Sequence, residues 1–290
     1  MIDLQNVTKS YGDVTAVKSL SLHVREGEIM GIIGHNGAGK TTTLKMIVGL
    51  VSPTSGRIRV MGREMSQGRT SVKQDIGFLP EESSLYDKMT VTEYLLFFAE
   101  LYGVPRRDAR RRLEDLLTSL DLSRRDQRTG ELSKGMRRKV AIARALLHNP
   151  RVLILDEPNA GLDPLTSFFI INYLKSLKEE GKTLLVSAHN LFHIEYICDR
   201  VAILRDGELV ICDTMEAIRE SLGRREYEVV FQSDEPLEFP REEGNYVFQT
   251  RDVGQVASVL ERVSENGWAL VNLSVRESAL EEIYVRLMKG

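Results

Sequence analysis

Apolar positions follow three rhythms along this chain, and the changes between them mark its organisation. Two stretches run apolar at successive positions, residues 28–33 after the opening Glu28 and residues 152–155, as expected of strands buried on both faces. Helical spacing follows the first of them in residues 41–50, where Leu44, Ile47 and Val48 share one face. The same spacing recurs in residues 91–101 and 109–120, which predicts a helical insertion over about residues 83–147. Asp206-Gly207-Glu208 reads as a turn between two strands, and near Met215 the character changes. Residues 227–231, 246–250 and 268–275 then read as strands, with amphipathic helices at 253–263 and 278–288. The connection between the first two of these strands carries Pro236, Pro240 and several acids, and reads as a mobile loop. The pattern predicts an α/β chain in two parts: residues 1–215, and a small α+β (ββαβα) domain over 222–290.

The two apolar runs lead into the chain's candidate chemistry. After the first comes Gly34-His35-Asn36-Gly37-Ala38-Gly39-Lys40-Thr41, which fits G-x-x-x-x-G-K-[ST]. Glycines let backbone N–H groups close around phosphate oxygens, the lysine offsets the terminal phosphate charge, and the Thr41 hydroxyl would reach Mg²⁺. Thr42 continues the cradle into the helix. A strand before the loop and a helix after it supply the required setting, beyond a glycine-rich turn alone.

The second run ends in Asp156 and Glu157, followed by Pro158. Neighbouring residues on a strand point to opposite faces, so the carboxylates can divide the labour. Asp156 would hold Mg²⁺ through its water shell, and Glu157 would polarise a water for in-line attack on a γ-phosphate.

With Leu132-Ser133-Lys134-Gly135-Met136 added in this order, residues 1–215 resemble the nucleotide-binding subunit of an ABC (ATP-binding cassette) transporter. The resemblance implies a P-loop NTPase core with a mainly parallel sheet, an antiparallel N-terminal β subdomain and the helical subdomain. It implies ATP and Mg²⁺ as cofactors. It further implies two cassettes closing head to tail on two ATPs, with Ser133 and Gly135 of one contacting the γ-phosphate held by the other. Lys134 and Met136 depart from the usual Gly and Gln of that signature. Read from the residues alone, Ser133 would also serve as the N-cap of a basic helix.

The same resemblance makes Tyr11 the aromatic that stacks on adenine, His189 the histidine that touches the γ-phosphate, and Asp163 part of a loop coupling the two sites. Glu81, in Phe78-Leu79-Pro80-Glu81, stands where the family commonly has a Gln reaching Mg²⁺ and the attacking water. A carboxylate is a harder, charged ligand, so metal contact fits it better than water positioning.

Composition narrows the setting. The 290 residues are 42% hydrophobic and 28% charged with net charge −3, which makes the chain globular and gives no polyelectrolyte footprint for nucleic acid. Arg106, Arg107, Arg110, Arg111 and Arg112 are interleaved with Asp108 and followed by Glu114 and Asp115, a pattern read as a solvated helix face. Cys198 and Cys212 fit neither a disulfide framework nor paired metal ligands, so a reducing cytoplasm is expected. No run approaches the roughly eighteen apolar residues of a membrane span, and the N-terminus lacks a leader pattern.

Together these readings give an expectation: a cytoplasmic ATPase subunit, peripheral on the inner face of the membrane, powering an exporter. Its partner would be a transmembrane permease on a separate chain, and it would work as a homodimer, with a heterodimer as the alternative. The competing reading is a soluble ABC-type ATPase acting on a non-membrane partner such as the ribosome. That class usually carries two cassettes or a long coiled coil, and this chain has one set of motifs. A small-molecule kinase on the same phosphate loop would need an acceptor pocket in place of the Ser133 and Asp163 segments.

Overall fold

The computed structural model describes residues 1–65 and 70–289. Two compact units divide the chain, Met1–Met215 and Glu216–Gly290. The first opens with β1 (Ile2–Tyr11) and β2 (Val14–Val24), then β3 (Ile29–Ile33), a glycine loop and α1 (Lys40–Ile47). Next come β4 (Ser55–Val60), β5 (Arg63–Glu64), the short α2 (Thr70–Lys73) and β6 (Ile76–Leu79). The helical insertion holds α3 (Val91–Leu101), α4 (Arg106–Ser119), a 3-10 turn at Thr129–Glu131 and α5 (Lys134–Leu146). Then follow β7 (Val152–Asp156), α6 (Pro164–Glu179), β8 (Thr183–Ser187), α7 (Leu191–Ile197), β9 (Arg200–Arg205) and β10 (Glu208–Thr214).

Two sheets result. The antiparallel one runs β2-β1-β4-β5. The other runs β10-β9-β3-β8-β7-β6, parallel from β9 to β6, with β10 antiparallel at its edge. Every residue of β3, β7 and β8 is buried, as their mainly apolar sequences favour, with the polar Asp156, Thr183 and Ser187 buried at strand ends. A core joins the sheets through Leu4, Leu22, Met30, Leu44, Ile154 and Leu185.

Parallel strands release their carboxyl ends on one edge, so the turns after β3, β6, β7 and β8 emerge together. In that register Ser187 pairs with Ile32 on one side and Asp156 on the other. The fold thereby gathers four loops distant in sequence.

In the helical insertion, α3 starts on a capping box: the Glu93 N–H donates to Thr90 Oγ1 at 3.2 Å and the Thr90 N–H donates to Glu93 Oε2 at 2.8 Å. Ala109, Leu113 and Leu117 form the buried stripe of α4, leaving Arg106, Arg107, Arg110 and Arg111 exposed on its solvent face. Both cysteines are free. Burial pushes the Cys198 thiol far up, and Cys212 is also raised, with Arg200 Nη2 donating to its sulfur at 3.3 Å.

The helix α8 (Met215–Leu222) runs into the second unit, which continues with β11 (Arg225–Gln232), β12 (Arg241–Glu242), β13 (Asn245–Thr250), α9 (Val253–Glu265), β14 (Ala269–Glu277) and α10 (Leu280–Lys289). Its antiparallel sheet runs β12-β13-β11-β14. Phe231 is its centre, stacked on Trp268 at 5.4 Å between ring centroids and packed with Val229, Val256 and Val259. The two-residue β12 adds a strand to the expected ββαβα order. The proline-bearing connection, expected to be a mobile loop, is fastened, because the Tyr246 hydroxyl donates to Glu235 O at 3.1 Å and accepts from the Leu237 N–H at 3.2 Å.

Candidate active site

The glycine loop between β3 and α1 is shaped by contacts that allow no side chain. A Cβ on Gly34 would lie 2.6 Å from Leu204 O, and one on Gly39 would lie 2.6 Å from Ala16 O. Gly37 and Gly39 also have φ of +86° and +99°, which L side chains rarely adopt. Gly39→Ala is therefore expected to lower stability by about 2 kcal/mol or more. Thermal unfolding checks this, and a parent-like midpoint would mean that the loop re-forms around the methyl group.

Lys40 begins α1 and is almost fully buried. Its ammonium donates to Gly34 O at 2.7 Å and His35 O at 3.2 Å. Burial lowers its pKa, and the nearby carboxylates of Glu157, Asp156 and Glu81 oppose that shift. His35 is held outward, with Nδ1 2.7 Å from Asn36 O and Nε2 3.2 Å from Asp206 Oδ1.

Asp156 closes β7 at 1% exposure, and its Oδ1 accepts a hydrogen bond from Ser187 Oγ. Glu157 lies past the strand end with φ of +48°, so strand alternation does not set its direction. The expected division of the two carboxylates by opposite strand faces is thus corrected: a left-handed turn, costly for a non-glycine residue, aims Glu157. Its N–H donates to Ser187 Oγ at 3.1 Å and its Oε2 accepts from the His189 N–H at 3.1 Å. Oε1 is buried without a hydrogen-bond donor among the described residues, and His189 Nε2 stands 3.3 Å from it. Burial raises the Glu157 pKa, while His189 and Lys40 pull it down.

A cavity of about 950 Å³ lies against the glycine loop, Lys40, Glu157 and His189, and Gly34, His35 and Asp156 are not among its lining residues. It is lined by Asn36 through Thr42, by Glu81, Glu157 and His189, and by Val14, Thr15 and Ala16. Tyr11 is not among its lining residues. It is half exposed at the end of β1, with Lys9 Nζ 4.9 Å from its ring centroid.

Ser133, Lys134, Gly135 and Met136 also lie outside this cavity. Leu132 is buried, and Ser133 N-caps α5, its Oγ accepting from the Met136 N–H at 3.3 Å. Gly135 packs tightly, since a Cβ there would meet Thr166 Cγ2 at 2.9 Å. Lys134 faces a second groove with Glu81, Glu82, Ala160, Gly161 and Leu162. Asp163 N-caps α6 through a 2.9 Å bond from the Thr166 N–H, and bonds from Thr166 hold its carboxyl below the usual range.

Two residues of the site escape the sequence motifs. Ser187 bridges Asp156 and the Glu157 N–H, and its only sequence signal is its place at the end of an apolar strand, two residues before His189. Arg138 is buried against the backbone carbonyls of Asp156 and Glu157. It sits on the inward face of α5 with Ala141 and Ala145, a charge on an otherwise apolar stripe.

The chain has counterparts among known proteins. The ABC transporter family matches residues 17–160. The ABC transporter ATP-binding protein NatA of Bacillus subtilis (strain 168) is 41% identical over 80% of this chain and 97% of its own length. The chain belongs to the family of ABC transporter ATP-binding proteins. A Nod factor export ATP-binding protein of Burkholderia orbicola (strain AU 1054) is 40% identical over 76% of this chain and 73% of its own. The family also includes importers, among them the methionine import protein MetN of Geobacillus kaustophilus (strain HTA426), 42% identical over 72% of this chain and 64% of its own. A solved dimeric ATP-binding cassette in a post-hydrolysis state, bound to ADP and Pi, superposes with a TM-score of 0.68 at 31% identity, covering 74% of this chain and 99% of that one.

This cassette is therefore an ABC-type ATPase that energises transport. No described helix is long and apolar enough to cross a membrane.

Proposed function

We propose that this cassette powers an exporter by closing with a second cassette on ATP and reopening after hydrolysis. The observation that carries this reading is a separation. The phosphate loop, Glu81, Glu157 and His189 share one cavity, whereas Ser133 and Gly135 lie outside it, as they would if they served a second subunit's nucleotide. A homodimer is the simplest assembly, with a heterodimer as the alternative, and the substrate path lies in permease chains that place the cassette at the inner membrane face. The Nod factor export relative supports the export direction, which rests on that likeness alone.

In this reading Gly34, Gly37, Gly39 and their neighbouring N–H groups cradle the phosphates, and Lys40 offsets their charge. Tyr11 is proposed for the adenine. Thr41, Asp156 and Glu81 offer hard oxygen donors of the kind Mg²⁺ takes alongside phosphate oxygens, so they fit that ion. Bound Mg²⁺ would neutralise charge on the β- and γ-phosphate oxygens. Glu157 orients a water and takes its proton as the water oxygen bonds to the γ-phosphorus and the bond to the bridging oxygen breaks. His189, whose N–H fixes the Glu157 carboxylate, senses the γ-phosphate. Asp163 couples the two sites.

The test is the mass of Glu157→Gln in solution with and without Mg·ATP, by light scattering after size exclusion. A monomer that becomes a dimer on ATP is the expected result. A monomer under both conditions would overturn spontaneous closure of this chain with itself and point to a permease or a different second cassette.

A further inference from the structure

Arg138 makes six hydrogen bonds within a single subunit. Nε donates to Pro158 O at 2.7 Å. Nη1 donates to Pro80 O at 2.8 Å, to Glu81 O at 2.9 Å and to Ser83 Oγ at 3.2 Å. Nη2 donates to Asp156 O at 2.9 Å and to Glu157 O. A planar guanidinium carries five N–H donors in a rigid fork, and this one spends them on the turns after β6 and β7.

We propose that Arg138 is a positioning residue for hydrolysis: through these carbonyls it fixes the strained Glu157 turn and the Glu81 segment relative to each other and to the Ser133 end of α5. The inference rests on the reading of Glu157 as the group that activates water. Three features support it beyond packing. The Glu157 φ of +48° must be imposed from outside, because the residue does not favour it by itself. The Asp156 and Glu157 backbone carbonyls accept from the same nitrogen, so the guanidinium ties the backbone of both residues at one point. The same side chain also bridges two loops that each contribute a lining residue to the cavity, Glu81 and Glu157.

Burying this charge carries a cost that its neighbours offset only in part. Arg138 is 7% exposed, and its pKa falls to about 10 by loss of solvation, with Asp156, Glu81 and Glu157 opposing the fall. A long apolar residue would fill the same space without organising five carbonyls. A lysine would keep the charge but has no fork and could meet fewer of them.

The experiment compares Arg138→Met and Arg138→Lys in the full chain by steady-state ATP hydrolysis and by fluorescent-nucleotide titration. Arg138→Met is expected to lower kcat by about 10²-fold, the scale of a misaimed reacting group, with KM and nucleotide affinity changed less than about threefold. Arg138→Lys should recover part of that kcat. Parent kcat in either variant, or a loss carried by KM with kcat intact, overturns the proposal. If Arg138→Met gives no folded protein, Arg138→Lys decides alone: a lower kcat at unchanged affinity supports positioning, and parent kcat refutes it. Glu157→Gln in parallel separates the failures, since a dead Glu157→Gln beside a fully active Arg138→Lys removes only the Arg138 inference.

Discussion

Glu157→Gln is expected to keep ATP binding and to lower hydrolysis by about 10²- to 10⁴-fold, the usual contribution of a positioned general base. The amide preserves the shape and can still accept from the His189 N–H, which the carboxylate meets at 3.1 Å, so the turn should hold. What disappears is the proton acceptor. Phosphate release and equilibrium nucleotide binding, measured on the same preparation, check this, and hydrolysis at the parent rate would overturn the role given to Glu157.

The same residue sets a pH dependence. Burial raises its pKa, Asp156 adds to the rise, and His189 and Lys40 oppose it. The carboxylate must be ionised to take a proton, so activity is lost as pH falls through the raised value. The acidic limb of kcat should therefore lie above the ordinary carboxylate range, and the residual rate of Glu157→Gln should lack that limb.

Lys40→Ala is expected to weaken ATP binding by about 10- to 150-fold, because a hydrogen bond to a charged group is worth about 1.5–3 kcal/mol and each 1.4 kcal/mol is tenfold. The loss has a second source in the surroundings. Lys40 lies within the electrostatic reach of Glu157, Asp156 and Glu81, and without its charge an incoming polyphosphate would face these carboxylates unscreened. Titration with a fluorescent ATP analogue gives the answer directly. Unchanged affinity would remove the assignment of the loop to phosphate.

Much of this was legible in the sequence because the signals are local. The all-apolar runs of β3 and β7 announced buried strands, and the glycine spacing between β3 and α1 announced the loop. The helix after the loop, expected through residue 50, stops at Ile47 because Gly49 turns left-handed with φ of +70°. Other features depended on distance. Arg138 stands in the run Arg137-Arg138-Lys139 of the basic helix expected after Ser133, and only the return of the β6 and β7 turns to α5 reveals its carbonyl partners. The aim of Glu157 was hidden for a related reason. Strand alternation is a rule for residues inside a strand, and Glu157 has already left it. The two-residue β12 is too short for any periodicity to register.

The state of the two cysteines has a practical consequence for the chemistry of labelling. Thiolates, not thiols, react with maleimides and disulfides, and burial pushes both Cys198 and Cys212 away from the thiolate form. The parent chain should therefore take up such reagents slowly while folded, which makes it a quiet background for a single introduced thiol. Leu165, 84% exposed and two residues beyond Asp163, is a suitable place for one. Its rate of modification with and without ATP would read whether that face becomes covered.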